Sequence, residues 1–348
     1  DAGLFEVDEA TLPAAVAELR PRLVVCLNLF RDQLDRYGEL NTLGAKWSAA
    51  LRELPPDATV LLNADDPLVA SLGAGLQCQV CWFGLDSVEQ QRPDIQHASD
   101  SIYCPRCGAL LTFTGVYYGH LGHYRCPSCG FSRPEPAIAA RRVRLGLEAT
   151  SRFELDGLEL ETSLPGLYNV YNVLAASAAG LTLGATPETL AATVRSLSAA
   201  FGRTETVELE GKRMRLLLAK NPVGFNEVIR TALLDPQPLH LYVALNDRIA
   251  DGEDVSWIWD VDFELLADRC QLTIVGGTRR DDMAVRLKYA GFSVHALCVV
   301  PDHAAAVRQL LAATPAGGTA YAIPTYTAML DLRRALAGMG AVRQFWQD

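Results

Sequence analysis

The amino-acid sequence predicts an α/β protein with two doubly wound domains, the first of which carries an inserted four-cysteine zinc ribbon. Short apolar runs alternate with segments of helical spacing in both halves of the chain, and the alternation breaks and restarts near residue 201. Two Cys-Pro-x-Cys-Gly motifs interrupt the first half. With 348 residues, 49% of them hydrophobic, the chain can bury a core in each domain. We expect domains at 1–202 and 203–348, with the ribbon at about 101–133.

Charge and hydropathy argue against several classes of protein. A net charge of −10 disfavours nonspecific binding to nucleic acid or anionic lipid, since both need a basic surface. No apolar run approaches the length of a membrane-spanning helix. Several of the nine cysteines lie in apolar strand-like runs, which is typical of free buried thiols and indicates the cytoplasm. The chain begins at Asp1 without methionine, and we expect that an N-terminal piece with a nucleotide-binding loop precedes it.

The first domain begins with a βαβ pattern. Residues 22–30, 58–63 and 79–84 are short runs rich in β-branched residues, and residues 39–54 have helical spacing. Such alternation predicts a parallel sheet, because parallel neighbours need a crossover connection.

The end of the first domain predicts a hairpin and two helices. Residues 152–164 alternate apolar and polar around Asp-Gly, a strong hairpin signal. Helices are expected at 169–183 and 187–200, the second with Thr186 as N-cap and Pro187 in its first turn.

After a predicted hinge, "FGRTE" (201–205), the alternation restarts as a second doubly wound domain. The expected strands are 213–219, 240–245, 271–275, 293–299 and 319–323, and the expected helices are 224–233, 259–268, 281–290, 303–313 and 326–337. Ligands of such sheets bind at the carboxyl ends of the strands, so the loops of interest are "AKNPVG", "LNDRIADGEDVSW", "GGTRRDD" and "IPTYT".

Four cysteines form the most specific motif in the sequence. Each Cys-x2-Cys pair lets two thiolates reach one tetrahedral metal, and the following glycine lets the backbone curl back. Four thiolates complete the coordination shell of zinc, which indicates a structural metal. His120 and His123 are alternative ligands. The interpretation without a metal is two disulfides or free thiols. Cys78-x2-Cys81 is a weaker pair inside a strand and favours core packing. The predicted zinc ligands are Cys104, Cys107, Cys126 and Cys129.

Two acidic stretches allow two interpretations each, and a third allows one. "FEVDEA" (5–10) and "NLFRDQLDRYGEL" (28–40) would supply magnesium ligands in a nucleotide enzyme, or they are solvated loop acids. "LNADDP" (62–67) reads as a turn.

The chain resembles the Mur ligases, because these strings match motifs of that family and occur in the same order along the sequence. Further matching strings are "PGLYNVYNVLAA" (165–176), "FGRTE" and "AKNPVGFNEV" (219–228). The four-cysteine insertion and "LNDRIADGEDVSWIWDVDFE" (245–264) narrow the resemblance to MurT-type subunits of lipid II isoglutaminyl synthase. The resemblance implies that 1–202 is a Mur-ligase-like central ATP-binding domain without its phosphate-loop part. It implies that 203–348 is a Rossmann-like C-terminal domain.

The resemblance also implies roles for individual residues. Glu6 matches the family's magnesium-binding acid, and Asn169 and Asn172 match two asparagines at its adenine site. Arg203 matches a hinge arginine that meets the phosphates. Lys220 and Asn221 lie in the loop that approaches the nucleotide. Without the family, the two helix asparagines would be interpreted as caps. Three departures stand out: Gln33 replaces a histidine, Leu217 replaces an acid, and the glycine-rich phosphate loop is absent from these residues.

The implied activity is that of an ATP-dependent carbon–nitrogen ligase that requires Mg²⁺. It amidates the D-glutamate α-carboxylate of the peptidoglycan stem peptide through an acyl phosphate, at the inner face of the membrane. Ammonia would come from a GatD-type glutaminase partner, because no glutaminase cysteine signature occurs in this sequence. The alternatives are a stand-alone amino-acid-adding Mur ligase and a noncatalytic zinc-ribbon scaffold.

The acidic loop 246–262 carries two tryptophans, a residue enriched at interface centres. The nonfunctional interpretation is a solvated acidic loop whose tryptophans pack into the core. In the family that the chain resembles, an aspartate of this domain is thought to complete the partner's Cys-His pair. Our candidate is Asp260, with Asp254 second.

Overall fold

The computed structural model describes residues 3–31, 40–97, 99–146, 151–197 and 203–342, with the backbone alone for Arg203 and Thr204. Its contacts divide the chain into two compact units. The first contains residues up to Leu145 together with 151–162 and 167–197, and the second consists mainly of residues 203–342. None of the helices in the described residues combines the length and the hydropathy that a membrane-spanning helix requires.

The first unit is built on a six-stranded sheet of order β1-β2-β3-β6-β7-β8. The first four strands run parallel and the last two continue the sheet antiparallel. The predicted Asp-Gly hairpin is confirmed, because Asp156 and Gly157 both take the positive φ that such a turn requires. The strands are β1 Leu23–Cys26, β2 Thr59–Asn63, β3 Gln79–Asp86, β6 Ile138–Leu145, β7 Ser151–Leu155 and β8 Leu158–Thr162.

Helices cover this sheet. Trp47 and Leu51 of α2 are buried in one apolar cluster with β1 and β2, and α4 packs against β1, β2, β3 and β6. Thr186 caps α5 as predicted, since its hydroxyl accepts the N–H of Thr189 at 3.3 Å. The helices are α1 Leu12–Leu19, α2 Leu40–Arg52, α3 Pro67–Ser71, α4 Leu167–Thr182 and α5 Pro187–Ser196, and Val88–Gln90 forms a 3₁₀ turn.

The predicted ribbon lies in the connection between β3 and β6. Its centre is a separate antiparallel hairpin formed by β4 (Thr112–Tyr118) and β5 (Leu121–Arg125). One cysteine pair precedes this hairpin and the other follows it.

The second unit is also built on a six-stranded sheet, of order β13-β12-β11-β14-β10-β9. All strands are parallel except β9, which pairs antiparallel with β10. Apolar residues of α6 and α7 join one buried cluster and those of α8 and α9 another, so helices cover both faces. The elements are β9 Arg203–Leu209, β10 Lys212–Leu217, α6 Pro222–Leu233, β11 Leu239–Ala244, β12 Cys270–Gly276, α7 Arg280–Tyr289, β13 Leu297–Val299, α8 His303–Ala313, β14 Thr319–Pro324 and α9 Tyr326–Gly338.

The predicted helix over 259–268 is wrong. Two 3₁₀ turns, Ser256–Asp260 and Phe263–Leu266, replace it. The buried guanidinium of Arg286 explains why no α-helix is needed here. It donates to the carbonyl oxygens of Ile258 at 3.1 Å and Val261 at 2.6 Å, which satisfies backbone acceptors outside a helix.

Strand β9 is the second difference from the sequence-based expectation. Its first three residues, 203–205, belong to the predicted hinge, and residues 201–202 lie outside the described ranges. Its sequence, "RTETVEL", is largely polar, which is typical of an edge strand with one solvated face.

Gly277 is a position where only glycine fits. It follows β12 with φ of +90°, and an added Cβ would collide with the carbonyl oxygen and backbone nitrogen of Leu245. We predict that Gly277→Ala destabilises the protein by about 1–3 kcal/mol or more, from backbone strain plus this overlap. Thermal or urea unfolding measures the loss. Gly338→Ala is the control, because an added Cβ at Gly338 meets nothing within 4 Å, and a loss of stability as large in that variant would refute the steric explanation.

Candidate metal centre and ligand-binding edges

The four cysteines of the ribbon converge on one point. The sulfur atoms of Cys104, Cys107, Cys126 and Cys129 all lie within 4.8 Å of one another. The Cys104 and Cys129 sulfurs are 3.6 Å apart, and those of Cys107 and Cys126 are 3.5 Å apart. These separations are far from the ~2.05 Å of a disulfide bond. They are close to the ~3.8 Å edge of a tetrahedron with Zn–S bonds of ~2.3 Å.

Two matching backbone turns hold the sulfurs in this arrangement. In each, the glycine after the second cysteine adopts positive φ, +74° at Gly108 and +75° at Gly130. Each glycine N–H donates to the carbonyl of the first cysteine, at 2.8 Å to Cys104 and 3.1 Å to Cys126. The Cys-Pro-x-Cys-Gly motif therefore predicts the observed geometry through the freedom of its glycine.

Two neighbouring thiols of this cluster have pKa values shifted in opposite directions, with that of Cys126 lowered and that of Cys129 raised. The backbone N–H of Cys129 donates to the Cys126 sulfur at 3.4 Å and is the leading cause that lowers the pKa of that thiol to about 6. Thiolate is the form that binds zinc. The donor set and its spacing thus fit zinc with a closed shell of four sulfurs, which is the chemistry of a structural site.

A buried ion pair connects the ribbon to the six-stranded sheet of the first unit. The carboxylate of Asp65, fully buried after β2, accepts from Arg133 Nε at 2.6 Å and from the Leu85 N–H at 2.7 Å. The Tyr171 hydroxyl of α4 donates to the same carboxylate at 2.7 Å. Burial, and then the charge of Asp65, raise the pKa of Tyr171 well above its usual value, so the hydroxyl stays a donor. Ribbon, sheet and α4 therefore meet at one carboxylate.

The neighbouring aspartate makes a second connection. Asp66 Oδ1 accepts the N–H groups of Leu68 and Val69 and so caps α3. Its Oδ2 accepts the Leu29 N–H at 2.8 Å and lies 3.3 Å from Nε2 of the buried His120. "LNADDP" is thus more than the turn that the sequence indicated: its two aspartates anchor the insertion.

The magnesium site expected at Glu6 stays a prediction. Glu6 is exposed in an irregular segment, and Gln33 lies outside the described ranges. Within the described parts of the chain, the four-cysteine cluster is the one group of three or more ligand side chains close enough to share a metal ion.

The two asparagines of α4 lie one turn apart. Asn169 is half-buried, Asn172 is exposed, and the Asn172 amide donates to Asn169 Oδ1 at 3.5 Å. Because α4 begins at Leu167, both lie within the helix rather than at its N-cap. They occupy one helical face, as a shared adenine contact would require.

The remaining nucleotide candidates belong to the second unit. Arg203 opens β9, and its side chain lies outside the described atoms. Lys220 is exposed. Asn221 is the N-cap of α6, where its Oδ1 accepts the Gly224 N–H at 2.7 Å. The loop carrying Lys220 and Asn221 follows β10, at the edge of the sheet where ligands bind.

The acidic loop after β11 splits its two tryptophans. Trp257 packs against the core beside Phe225, as the nonfunctional interpretation of this loop predicts. Trp259 is 52% exposed, with Arg286 over its ring and Tyr289 beside it. One tryptophan therefore serves the core, and the other presents a surface.

The candidate partner aspartates flank one 3₁₀ turn, Ser256–Asp260, with Asp254 two residues before it and Asp260 as its last residue. Asp254 is exposed, and the Ser256 N–H that it accepts at 2.8 Å is the leading cause that lowers its pKa. Asp260 is half-buried at the end of the turn. A cavity of about 450 Å³ adjoins the loop; its lining includes Glu253, Asp254, Trp259, Arg279, Asp281 and Asp282.

A buried polar cluster on the same edge escaped the sequence analysis. Asn246, 2% exposed, donates from Nδ2 to Thr327 at 2.9 Å and accepts the Thr278 N–H at 2.9 Å. Asp251, also buried, accepts the Thr327 N–H at 2.8 Å. Their position in the chain is the signal that could have found them, because these residues lie in three of the four loops at the carboxyl ends of the strands.

We predict that purified protein holds about one zinc ion per chain and that Cys104→Ser loses it, because removal of one thiolate opens the shell. Elemental analysis measures the metal, and thermal unfolding measures the accompanying loss of stability. Cys81→Ser is the control and should retain zinc. Metal-free wild-type protein with freely titrating thiols would contradict the ribbon assignment.

Comparisons with known proteins place the chain in a family. A family model described as MurT ligase C-terminal matches residues 218–329. Subunit MurT of lipid II isoglutaminyl synthase (glutamine-hydrolysing) from Streptococcus pneumoniae (strain ATCC BAA-255 / R6) is 36% identical over 344 residues, which are 98% of this chain and 75% of that protein. The corresponding Staphylococcus aureus (strain COL) subunit is 29% identical over 335 residues, covering 96% of this chain and 74% of its own length.

Solved structures confirm the fold. A pseudomurein peptide ligase type C from Methanothermus fervidus superposes with a TM-score of 0.70 at 20% identity over 94% of this chain. MurF from Acinetobacter baumannii superposes with a TM-score of 0.61 at 15% identity over 92% of this chain. The chain spans 65% and 60% of those two proteins. The predicted fold class, a Mur-ligase-like α/β protein with a four-cysteine insertion, is thus confirmed. The match of 98% of this chain to the pneumococcal subunit at 36% identity shows that the chain belongs to the MurT family of ligase subunits.

Proposed function

We propose that this chain is the synthetase subunit of a cytoplasmic, glutamine-dependent enzyme that amidates the stem peptide of lipid II. The carboxylate that reacts is the α-carboxylate of D-glutamate, and the product is D-isoglutamine. One observation carries the proposal, namely the 36% identity over 98% of the chain to a subunit named for lipid II isoglutaminyl synthase.

The proposed chemistry divides a difficult amidation into two displacements. The γ-phosphoryl group of ATP passes to a carboxylate oxygen, which gives an acyl phosphate and ADP. Ammonia then attacks the acyl carbon, phosphate leaves, and the nitrogen loses a proton to give the carboxamide. Phosphate is a far better leaving group than oxide, and Mg²⁺, when bound, neutralises charge on the transferred phosphoryl group.

The side chains assigned to the nucleotide are those that match the family's binding residues. Glu6 offers an exposed carboxylate for magnesium. Asn169 and Asn172 offer donor and acceptor groups for a base edge. Arg203 is assigned the phosphates, since a guanidinium forks across phosphate oxygens without losing its charge.

Lys220 and Asn221, in the loop after β10, are assigned to the nucleotide as well. The capping bond of Asn221 supports this role, because it fixes the course of the chain where the loop enters α6. A preorganised loop loses less entropy when a ligand binds.

Ammonia is assigned to a GatD-type glutaminase partner that docks on the acidic loop. The exposed ring of Trp259, the adjoining cavity and the exposed carboxylate of Asp254 support a docking surface at this place. Aromatic side chains with a polar rim are typical of interface centres.

The proposal is tested with the full-length protein, lipid II, ATP and Mg²⁺. With ammonium salts, the protein alone should form ADP and convert one carboxylate of the stem peptide to a carboxamide, as measured by mass spectrometry. With glutamine, the same product should require the partner. Lipid II that is already amidated should give no ADP. Incorporation of a free amino acid would favour a stand-alone Mur ligase, and absence of substrate-dependent ADP would favour a scaffold.

We predict that Asp260→Asn leaves the complex with the partner intact yet lowers glutamine hydrolysis by about two orders of magnitude or more, because an asparagine cannot orient and stabilise the partner's imidazolium. Ammonia-dependent ATP turnover should be little changed. The measurements are size-exclusion chromatography of the complex and the rate of glutamate release.

Asp254→Asn tests the second candidate, and Asp268→Asn, an exposed acid outside the loop, is the matched control. Full glutaminase activity in both loop variants would contradict the proposal that an aspartate of this chain completes the partner's Cys-His pair.

A further inference from the structure

The ribbon holds the chain where it leaves β1. We name residues 29–31, which follow β1, the β1 exit segment. The buried Leu29 donates its N–H to Asp66, and the same Asp66 oxygen lies 3.3 Å from Nε2 of His120, in the ribbon hairpin. The Phe30 ring lies against the His120 ring with centroids 4.6 Å apart and stacks on Tyr118 at 5.6 Å.

The third residue of the segment is held from the other side of the same histidine. Arg31 forms an ion pair with the nearly buried Asp100, which also accepts the Arg31 N–H at 2.9 Å. The Asp100 N–H in turn donates to Nδ1 of His120 at 3.4 Å. An imidazole that accepts at Nδ1 carries its proton at Nε2, so His120 donates to Asp66. One buried side chain therefore supports both ends of the segment.

The location of these contacts gives them a functional meaning. In open parallel sheets, ligands bind in the crevice at the carboxyl ends of the strands. The β1 exit segment leaves the carboxyl end of β1, and Asp65 and Asp66 leave that of β2. The ribbon thus packs on the ligand-binding edge of the sheet and not on a remote face.

We propose that the ribbon positions this ligand-binding edge, and that His120, through Asp66 and Asp100, fixes the β1 exit segment. Zinc is then needed for the placement of residues 29–31 as well as for the ribbon's own fold. A ribbon serving only as an independent docking module would need no buried contacts with the strand ends. Only the catalytic consequence of this proposal rests on the proposed function.

The first test follows amide hydrogen exchange at single-residue resolution, which needs no activity. The reporters are the Leu29 and Arg31 amides, whose acceptors are the Asp66 and Asp100 carboxylates. In zinc-bound His120→Leu, exchange at both should rise roughly tenfold, as expected for loss of one buried hydrogen bond. His120→Gln retains an Nε2 donor and should restore part of the protection at Leu29. Leu110→Ala, at an exposed ribbon position, is the control and should change neither amide.

Phe30→Leu tests the same connection from the segment side and leaves the ribbon sequence untouched, in case His120→Leu fails to fold. It should keep zinc and still raise exchange at Leu29 and Arg31. Wild-type exchange at both amides in the zinc-bound, folded variants would overturn the proposal.

The second test is kinetic. In the ammonia-dependent assay, His120→Leu should change kcat or the KM for ATP by roughly tenfold, while His120→Gln recovers part of the loss. If exchange rises in the variants but the wild-type protein shows no ATP-dependent amidation, the proposed function fails and the positioning role stands. If amidation occurs and exchange at both amides is unchanged, the positioning role fails alone.

Discussion

The buried ion pair between Asp65 and Arg133 is the interaction on which the first unit depends. Both side chains are almost wholly removed from solvent, and the Asp65 carboxylate also accepts from Leu85 and Tyr171. A buried charge is costly unless every lone pair finds a donor, and an alternative packing would leave this carboxylate unsatisfied. The pair therefore specifies one arrangement of sheet, ribbon and α4, whatever its net contribution to the free energy of unfolding.

The second unit uses a neutral version of the same device. Asn246 occupies the end of β11 and joins the loops that follow β12 and β14 through Thr278, Thr325 and Thr327. Both units thus organise the carboxyl edge of a parallel sheet around a buried polar side chain that belongs to the loop itself. This arrangement fixes loops at a ligand-binding edge without covering that edge with apolar residues.

Local signals explain what the sequence predicted correctly. Parallel strands that are buried on both faces appear in the sequence as short apolar runs, and Asp-Gly between two alternating segments predicts a hairpin. The Cys-x2-Cys spacing predicts that both sulfur atoms reach one metal. The errors arise where distant residues decide. Arg286 removed the need for a helix over 259–268, and Asp65 meets partners 68 and 106 positions away in Arg133 and Tyr171. Of the candidate site, the four cysteines are brought together, while the nucleotide and partner residues stay predictions because ligand and partner complete those sites.

The ribbon's place in the chain has a consequence for the order of folding. Strands β3 and β6 pair in parallel, yet the connection between them, from Asp86 to Ile138, contains a separate hairpin instead of the usual crossover helix. Closing so long a connection costs chain entropy before the pairing yields any stabilisation. A zinc ion bound by the cysteines on both sides of the hairpin would shorten the path that must close. We therefore expect the insertion, once it has bound zinc, to form as a local nucleus and the β3–β6 pair to follow it.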